Sequence, residues 1–145
     1  MKHALLTLLA SSSLLFGASI ADKDYGNAIV SEVTSIYDGD TFRADIVGYP
    51  EIVGWHIGIR INGIDTPEIK GECQKEKTMA RKAKQVTVSA LRGASTIELR
   101  HMKRGKYFRI VADVYVDGRS LAEELVQAGL AVPYDGGTKT KNWCK

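Results

Sequence analysis

The sequence predicts an α+β fold, mainly β: a small, mostly antiparallel barrel with two packed helices. Three observations carry this. Apolar and polar residues alternate with period two over residues 41–47 and 106–116, as in half-buried strands. Residues 74–92 instead place Met79, Ala83, Val86 and Ala90 at helical spacing. The order of elements is three strands, a helix, two strands and a helix, enough strands for one sheet to curl and two amphipathic helices to cover it.

In chain order, residues 22–27 read as a polar arm and residues 28–37 as the first strand. In the second strand, 41–47, Phe42, Ala44 and Ile46 alternate with Arg43 and Asp45, and Gly48-Tyr49-Pro50 breaks the run. The third is placed over 53–64. Ile57, Ile59 and Ile61 share one face, so Arg60 and Asn62 share the other. On the first helix, Lys75, Lys77, Arg81, Lys82 and Lys84 spread over the remaining surface; a solvated face explains them better than a nucleic-acid track. Gly93 ends that helix. The fourth strand covers 96–101. The fifth, 106–116, has Phe108, Ile110, Ala112, Val114 and Val116 on one face and Tyr107, Arg109 and Asp113 opposite. Asp117-Gly118 turns the chain, and Ser120-Leu121-Ala122-Glu123 is a capping box. Leu121, Leu125 and Ala128 form the buried stripe of the second helix, closed by Gly129.

Residues 1–21 have the composition of a secretory signal peptide. Met1-Lys2-His3 precede an apolar or small stretch over 4–18, and Ser19 and Ala21 are the small residues before the expected cut. A membrane anchor needs about 20 strongly apolar residues; this stretch is shorter and is interrupted by Ser11-Ser12-Ser13. The expectation is one domain over 22–145, secreted or periplasmic, monomeric, with no membrane anchor after cleavage. The net charge of +3 loses one lysine with the signal, leaving a mildly basic chain that suits nucleic acid without arguing for it. The two cysteines and three histidines have no zinc-site spacing, so a bound metal must be held by oxygen.

The chemistry concentrates in two acidic turns and two strand arginines. The turns are Asp38-Gly39-Asp40-Thr41 and Asp65-Thr66-Pro67-Glu68; the arginines are Arg60 and Arg109. Each has a plain reading by itself. Asp-Gly is a common turn, Thr66-Pro67-Glu68 can open a helix, and strand arginines can be surface residues. Together they supply what metal-assisted attack on a phosphodiester needs: carboxylates for a hard cation, a carboxylate to handle water, and guanidinium forks for phosphoryl oxygens. An EF-hand is excluded, because a loop starting at Asp38 would need glycine where Arg43 stands.

This set resembles the staphylococcal-type (thermonuclease) family of calcium-dependent nucleases. The similarity runs through Asp38-Gly39-Asp40-Thr41, Arg60 with Ile64-Asp65-Thr66-Pro67-Glu68, Lys106-Tyr107-Phe108-Arg109, Tyr115-Val116-Asp117-Gly118 and Gly129-Leu130-Ala131-Val132-Pro133-Tyr134. The resemblance implies a five-stranded OB-fold barrel. It also implies Ca2+ on Asp40 and Asp65 with the Thr66 carbonyl, Glu68 as the residue that orients or deprotonates water, and Arg60 and Arg109 as the phosphoryl clamp. Magnesium or manganese would also suit these oxygens. Lys106, Tyr107 and Tyr134 match positions that contact substrate phosphate or stack near the nucleotide; Tyr107 reads equally as a strand-surface aromatic. The implied activity is hydrolysis of DNA and RNA, endo- or exonucleolytic. Water attacks phosphorus and the 5′-oxygen leaves, giving 3′-phosphate ends.

The alternative is a non-catalytic OB-fold domain that binds single strands; the presence of Asp40, Arg60, Asp65, Glu68 and Arg109 together disfavours it. An envelope structural or adhesion domain would leave both motifs unexplained. Three departures from the family type stand out: a longer stretch between Thr41 and Arg60, a shorter connection from His101 to Gly105, and a chain that stops at Lys145 before the family's third helix. An oxidising compartment would join Cys73 to Cys144, tying the tail to the loop beside the site. Free thiols and an intermolecular bond are the other outcomes.

Overall fold

The alternation read from the sequence is realised as a closed barrel in a computed structural model that describes residues 23–145. The expected signal peptide and the expected cut after Ala21 lie outside the described residues. The elements are β1 (Ala28–Ile36), β2 (Thr41–Ile46), the one-turn α1 (Glu51–Gly54), β3 (Ile57–Ile61), β4 (Ile64–Asp65), α2 (Gln74–Gly93), β5 (Ile97–Arg104), β6 (Ile110–Val116), β7 (Arg119–Ser120), α3 (Leu121–Gln127) and β8 (Val132–Pro133). β3, β2, β1, β5 and β6 pair antiparallel in that order. A parallel pairing of β3 with β6, Ile59 opposite Ile110 and Arg60 opposite Val111, closes the ring. Closure leaves no open edge in the ring and fixes which residues meet at its mouth.

The barrel interior takes one face of each strand. Phe42, Ala44, Ile59, Leu99 and Ala112 are fully buried, and Ile57 and Ile61 lie with them. That leaves Arg60 on the outer face of β3. Helix α2 covers the barrel through Ala80, Ala83, Thr87 and Leu91. The expected stripe is therefore rotated: Ala83 is central, Val86 and Ala90 pack at the margin, and Met79 is only half-buried. α3 buries Leu121 and Leu125 as expected, but Ala128 is its exposed C-terminal cap. Ser120 Oγ accepts the Glu123 N–H at 3.3 Å, and Leu130 N–H reaches back to the Leu125 carbonyl around Gly129 at φ 70°.

Three strands differ in extent from the sequence reading, and the fourth, expected over 96–101, runs on to Arg104 as β5. The third strand was expected over 53–64; instead the chain forms α1 and begins the strand at Ile57, and a turn at Asn62 and Gly63 separates β4. The fifth was expected over 106–116, but residues Lys106–Phe108 form a single 3₁₀ turn, with Tyr107 and Phe108 at φ 55° and 58°. Arg109 caps this turn and β6 starts at Ile110. Phe108 is thereby half-exposed instead of inward. Among the described residues, no helix is long and apolar enough to cross a membrane.

Cys73 and Cys144 form a disulfide, with Cα atoms 5.9 Å apart. It fastens the C-terminal tail to the start of α2, where Cys73 Sγ accepts the Glu76 N–H at 3.4 Å as an N-cap. Closing a loop of 71 residues of separation stabilises by about 4 kcal/mol in the chain-entropy model. Replacing both cysteines by serine should lower unfolding free energy by about 2–4 kcal/mol in urea. Equal midpoints and slopes for the variant and the oxidised parent would show that the bridge contributes nothing.

Candidate active site

The strand register sets the site. β2 and β3 pair Thr41 with Arg60, so the turn that ends at Asp40 lies beside the Arg60 guanidinium. Arg60 Nη1 donates to Asp40 Oδ1 at 2.6 Å and Nη2 to the Ile64 carbonyl at 3.2 Å. Thr41 Oγ1 also donates to Asp40 Oδ1 at 2.9 Å, and the Thr66 N–H to its Oδ2 at 3.2 Å. One carboxylate thus joins both acidic turns. Gly39 permits this approach: a Cβ there would stand 2.8 Å from Ala83 Cβ and 3.0 Å from Thr66 Cγ2. Thr87 Oγ1 donates to the Gly39 carbonyl at 2.7 Å, tying the turn to α2.

Asp38, Asp40, Asp65 and Thr66 are all buried, at 5, 2, 4 and 2% exposure. Glu68 is half-exposed above them. Burial, then the Asp40 carboxylate, pushes the Asp38 carboxyl up to about 7, with Glu68 adding to it. So much negative charge out of water requires positive charge nearby. Lys139 provides some: its Nζ lies 2.7 Å from Asp65 Oδ1 and 2.6 Å from Glu68 Oε1. Partial burial alone would lower the Lys139 pKa, but hydrogen bonds and attraction from the two carboxylates raise it well above the usual lysine value. Asp65 Oδ1 is buried and makes no aligned hydrogen bond. A buried acidic set with an ammonium seated between two of its carboxylates fits a hard cation held by oxygen. The other clustered donors, Cys73, Cys144 and Glu76, do not fit, because both sulfurs are spent in the disulfide.

A cavity of about 680 Å³ opens over this cluster, lined by Asp38, Arg60, Glu68, Lys106, Arg109, Tyr134 and Lys139 among others. Asp40 and Asp65 are buried beside it. Arg109 arrives from the far side of the barrel closure. Its stem crosses Gly58, where a Cβ would come within 2.9 Å of Arg109 Cγ. Arg109 Nε is buried with no hydrogen-bond partner, a donor held ready for something absent from the protein itself. Pairing of β4 with β8 sets Asp65 opposite Val132, and Tyr134 N–H donates to the Gly63 carbonyl at 2.9 Å. The Tyr134 ring then lies 5.8 Å from the Arg60 guanidinium, and its hydroxyl donates to the Gly137 carbonyl. Tyr107 is the residue not brought in: it is 90% exposed and lines the neighbouring groove.

Three residues of this site escaped the sequence reading. Asp38 looked like turn chemistry alone. Lys139 lies in a tail with no periodic signal. Glu76 sits in the first turn of α2, where an acidic residue ordinarily serves the helix dipole in water. It is instead buried, and its carboxylate accepts the Glu68 and Glu72 N–H groups at 3.2 and 3.0 Å, holding the second acidic turn against the helix.

The family model described as "Staphylococcal nuclease homologue" matches residues 58–143, more than half of the chain. The chain belongs to the staphylococcal nuclease family. Curated relatives align with about three quarters of the chain. It is 29% identical over 135 residues to "Probable endonuclease lcl3" of Neosartorya fischeri, covering 74% of this chain and 45% of that protein. It is 28% identical over 137 residues to the lcl3 protein of Schizosaccharomyces japonicus, covering 79% and 58%, and 28% identical over 136 residues to that of Emericella nidulans, covering 74% and 48%. The chain spans about half the length of these relatives.

Truncating Glu76 to alanine leaves two backbone donors, the Glu68 N–H at the end of the acidic turn and the Glu72 N–H beyond it, without partners. That should cost about 1–3 kcal/mol in urea unfolding. Glu76→Gln, which keeps one acceptor oxygen, should lose less. Parent-like stability in the alanine variant would show that the carboxylate does not hold the turn.

Proposed function

We propose that this chain is a calcium-dependent nuclease that hydrolyses phosphodiester bonds of DNA and RNA outside the cytoplasm. The observation that carries the reading is the convergence on one cavity of two guanidinium groups and a buried acidic cluster, with Arg109 Nε lacking a hydrogen bond and the Lys139 ammonium seated on Asp65 and Glu68. The fungal relatives, named as probable endonucleases, support a nuclease, and the signal-like residues 1–21 support export.

In this reading Asp40 and Asp65, with the Thr66 carbonyl, would hold the cation, whose charge would favour a bound phosphate diester. Arg60 has N–H groups to spare beyond its bonds to Asp40 and Ile64, and Arg109 Nε is uncommitted. Both donate to the non-bridging phosphoryl oxygens and bind them more tightly as charge builds. Glu68, half-exposed over the cavity beside Lys139, takes the proton of the attacking water. The new water-oxygen–phosphorus bond forms as the bond to the 5′-oxygen breaks. The leaving oxygen gains a proton from solvent, giving 3′-phosphate and 5′-hydroxyl ends. Lys106 and Tyr134 flank the substrate in the same cavity.

The chain from Asp22 should digest plasmid and RNA with calcium and stop when calcium is chelated. Undiminished cutting in excess chelator would defeat the metal reading, and rescue by zinc alone would defeat the calcium assignment.

Glu68→Ala and Arg109→Ala should each lower turnover by at least about 10²-fold at unchanged melting temperature. Turnover close to that of the parent at saturating calcium would remove that residue from the mechanism.

Lys139 competes with a bound cation for the Asp65 and Glu68 oxygens. Lys139→Met should therefore bind terbium more tightly, read by sensitised luminescence without substrate. Weaker or equal binding would mean that the ammonium does not share the cation's position.

A further inference from the structure

A second cleft adjoins the catalytic cavity and shares Tyr37, Thr41 and Arg109 with it. It encloses about 600 Å³. Its walls carry large apolar side chains that the fold leaves in water: Tyr107 is 90% exposed, Trp55 57%, and Phe108 and Tyr37 53% each. Exposed aromatic surface gathered on one groove, instead of scattered, marks a binding surface.

The two loops that present these rings adopt costly backbone. His56, Tyr107 and Phe108 lie at φ 49°, 55° and 58°, the left-handed region that side chains other than glycine rarely enter. All three line this groove. Each loop is held from several directions. His56 N–H donates to Asp45 Oδ1 at 2.7 Å, Arg43 Nη1 donates to the His56 carbonyl at 3.0 Å, and His56 Nδ1 lies 2.6 Å from Thr34 Oγ1. Across the groove, Gly105 N–H donates to the Arg109 carbonyl and Arg109 N–H to the Lys106 carbonyl. Neither loop uses its aromatic rings to build core. Trp55 belongs to the stretch between Thr41 and Arg60 that is longer than in the family type.

Charge identifies the occupant. Among the described residues, no carboxylate lines this groove, whereas Arg43 and Arg109 do, and the Arg104 guanidinium lies 4.8 Å from the Phe108 ring. Rings with interleaved guanidinium groups suit π-faced, phosphate-linked ligands.

We propose that the groove stacks unpaired bases of a single-stranded nucleic acid on Trp55, Tyr107 and Phe108, next to the phosphate held by Arg109. The proposal rests on the nuclease reading for its substrate class. It makes the chain prefer single strands, because bases paired in a duplex cannot present their faces to these rings.

Titration of the chain from Asp22 with oligothymidylate in chelator tests this without turnover. Trp143 is buried and Trp55 exposed, so quenching of tryptophan emission reports Trp55. Quenching is expected. Affinities of the variants are read from the anisotropy of dye-labelled oligothymidylate, which does not depend on Trp55: Trp55→Ala and Phe108→Ala, on separate loops, should each weaken binding at least about fivefold. Trp55→Tyr should restore it, and binding of a duplex of equal length should not change in any variant. Parent-like affinity in both alanine variants, or equal losses for single strand and duplex, would overturn the proposal. Cutting by the parent with unaltered binding by the variants defeats the groove alone; Trp55-dependent binding without any cutting defeats the nuclease reading alone. Should Trp55→Ala fail to fold, Phe108→Ala and Trp55→Tyr decide.

Discussion

Three aspartates buried at the mouth of one small barrel are the constraint that the rest of the structure answers. Asp38, Asp40 and Asp65 are each at most 5% exposed, and unpaired charge at such depth is prohibitively unfavourable. The fold meets it with the Arg60 fork on Asp40, Lys139 on Asp65, and backbone N–H groups from Asp40 and Thr66. The balance remains short of positive charge, which is why burial and neighbouring carboxylates push Asp38 up to about 7. A stability-driven sequence would replace these groups with apolar ones. Their retention makes sense if a cation and a phosphate complete the balance.

Several distant features serve this mouth. The parallel closure of β3 on β6 sets Arg109 across from Gly58, and the missing side chain of Gly58 makes room for the Arg109 stem. The disulfide returns the tail to α2, and Lys139 rides on that tail. Glu76 connects the two: it accepts the Glu68 and Glu72 N–H groups within contact distance of the bridge.

Much of this was legible in the chain, for local reasons. Alternation in residues 57–61 placed three isoleucines inward and Arg60 outward, and β3 follows it. Both acidic turns are contiguous and carry turn chemistry. Legibility failed where long-range packing overrode local pattern. Residues 106–108 continue the alternation of β6, yet the chain makes a 3₁₀ turn there and leaves Phe108 in water. The α2 stripe is displaced because Thr87 and Glu76, polar by type, are buried by partners 48 and 8 residues away. Lys139 meets Glu68 across 71 residues and could be found only from the folded tail.

In the proposed mechanism the phosphate chemistry follows from a cation held by the buried aspartates. Calorimetric titration of calcium into the parent and into Asp65→Asn, without nucleic acid, tests it most directly. The account predicts one saturable site in the parent that is lost in the variant while the fold persists. Equal binding by both proteins, or no calcium binding by the parent, would contradict it.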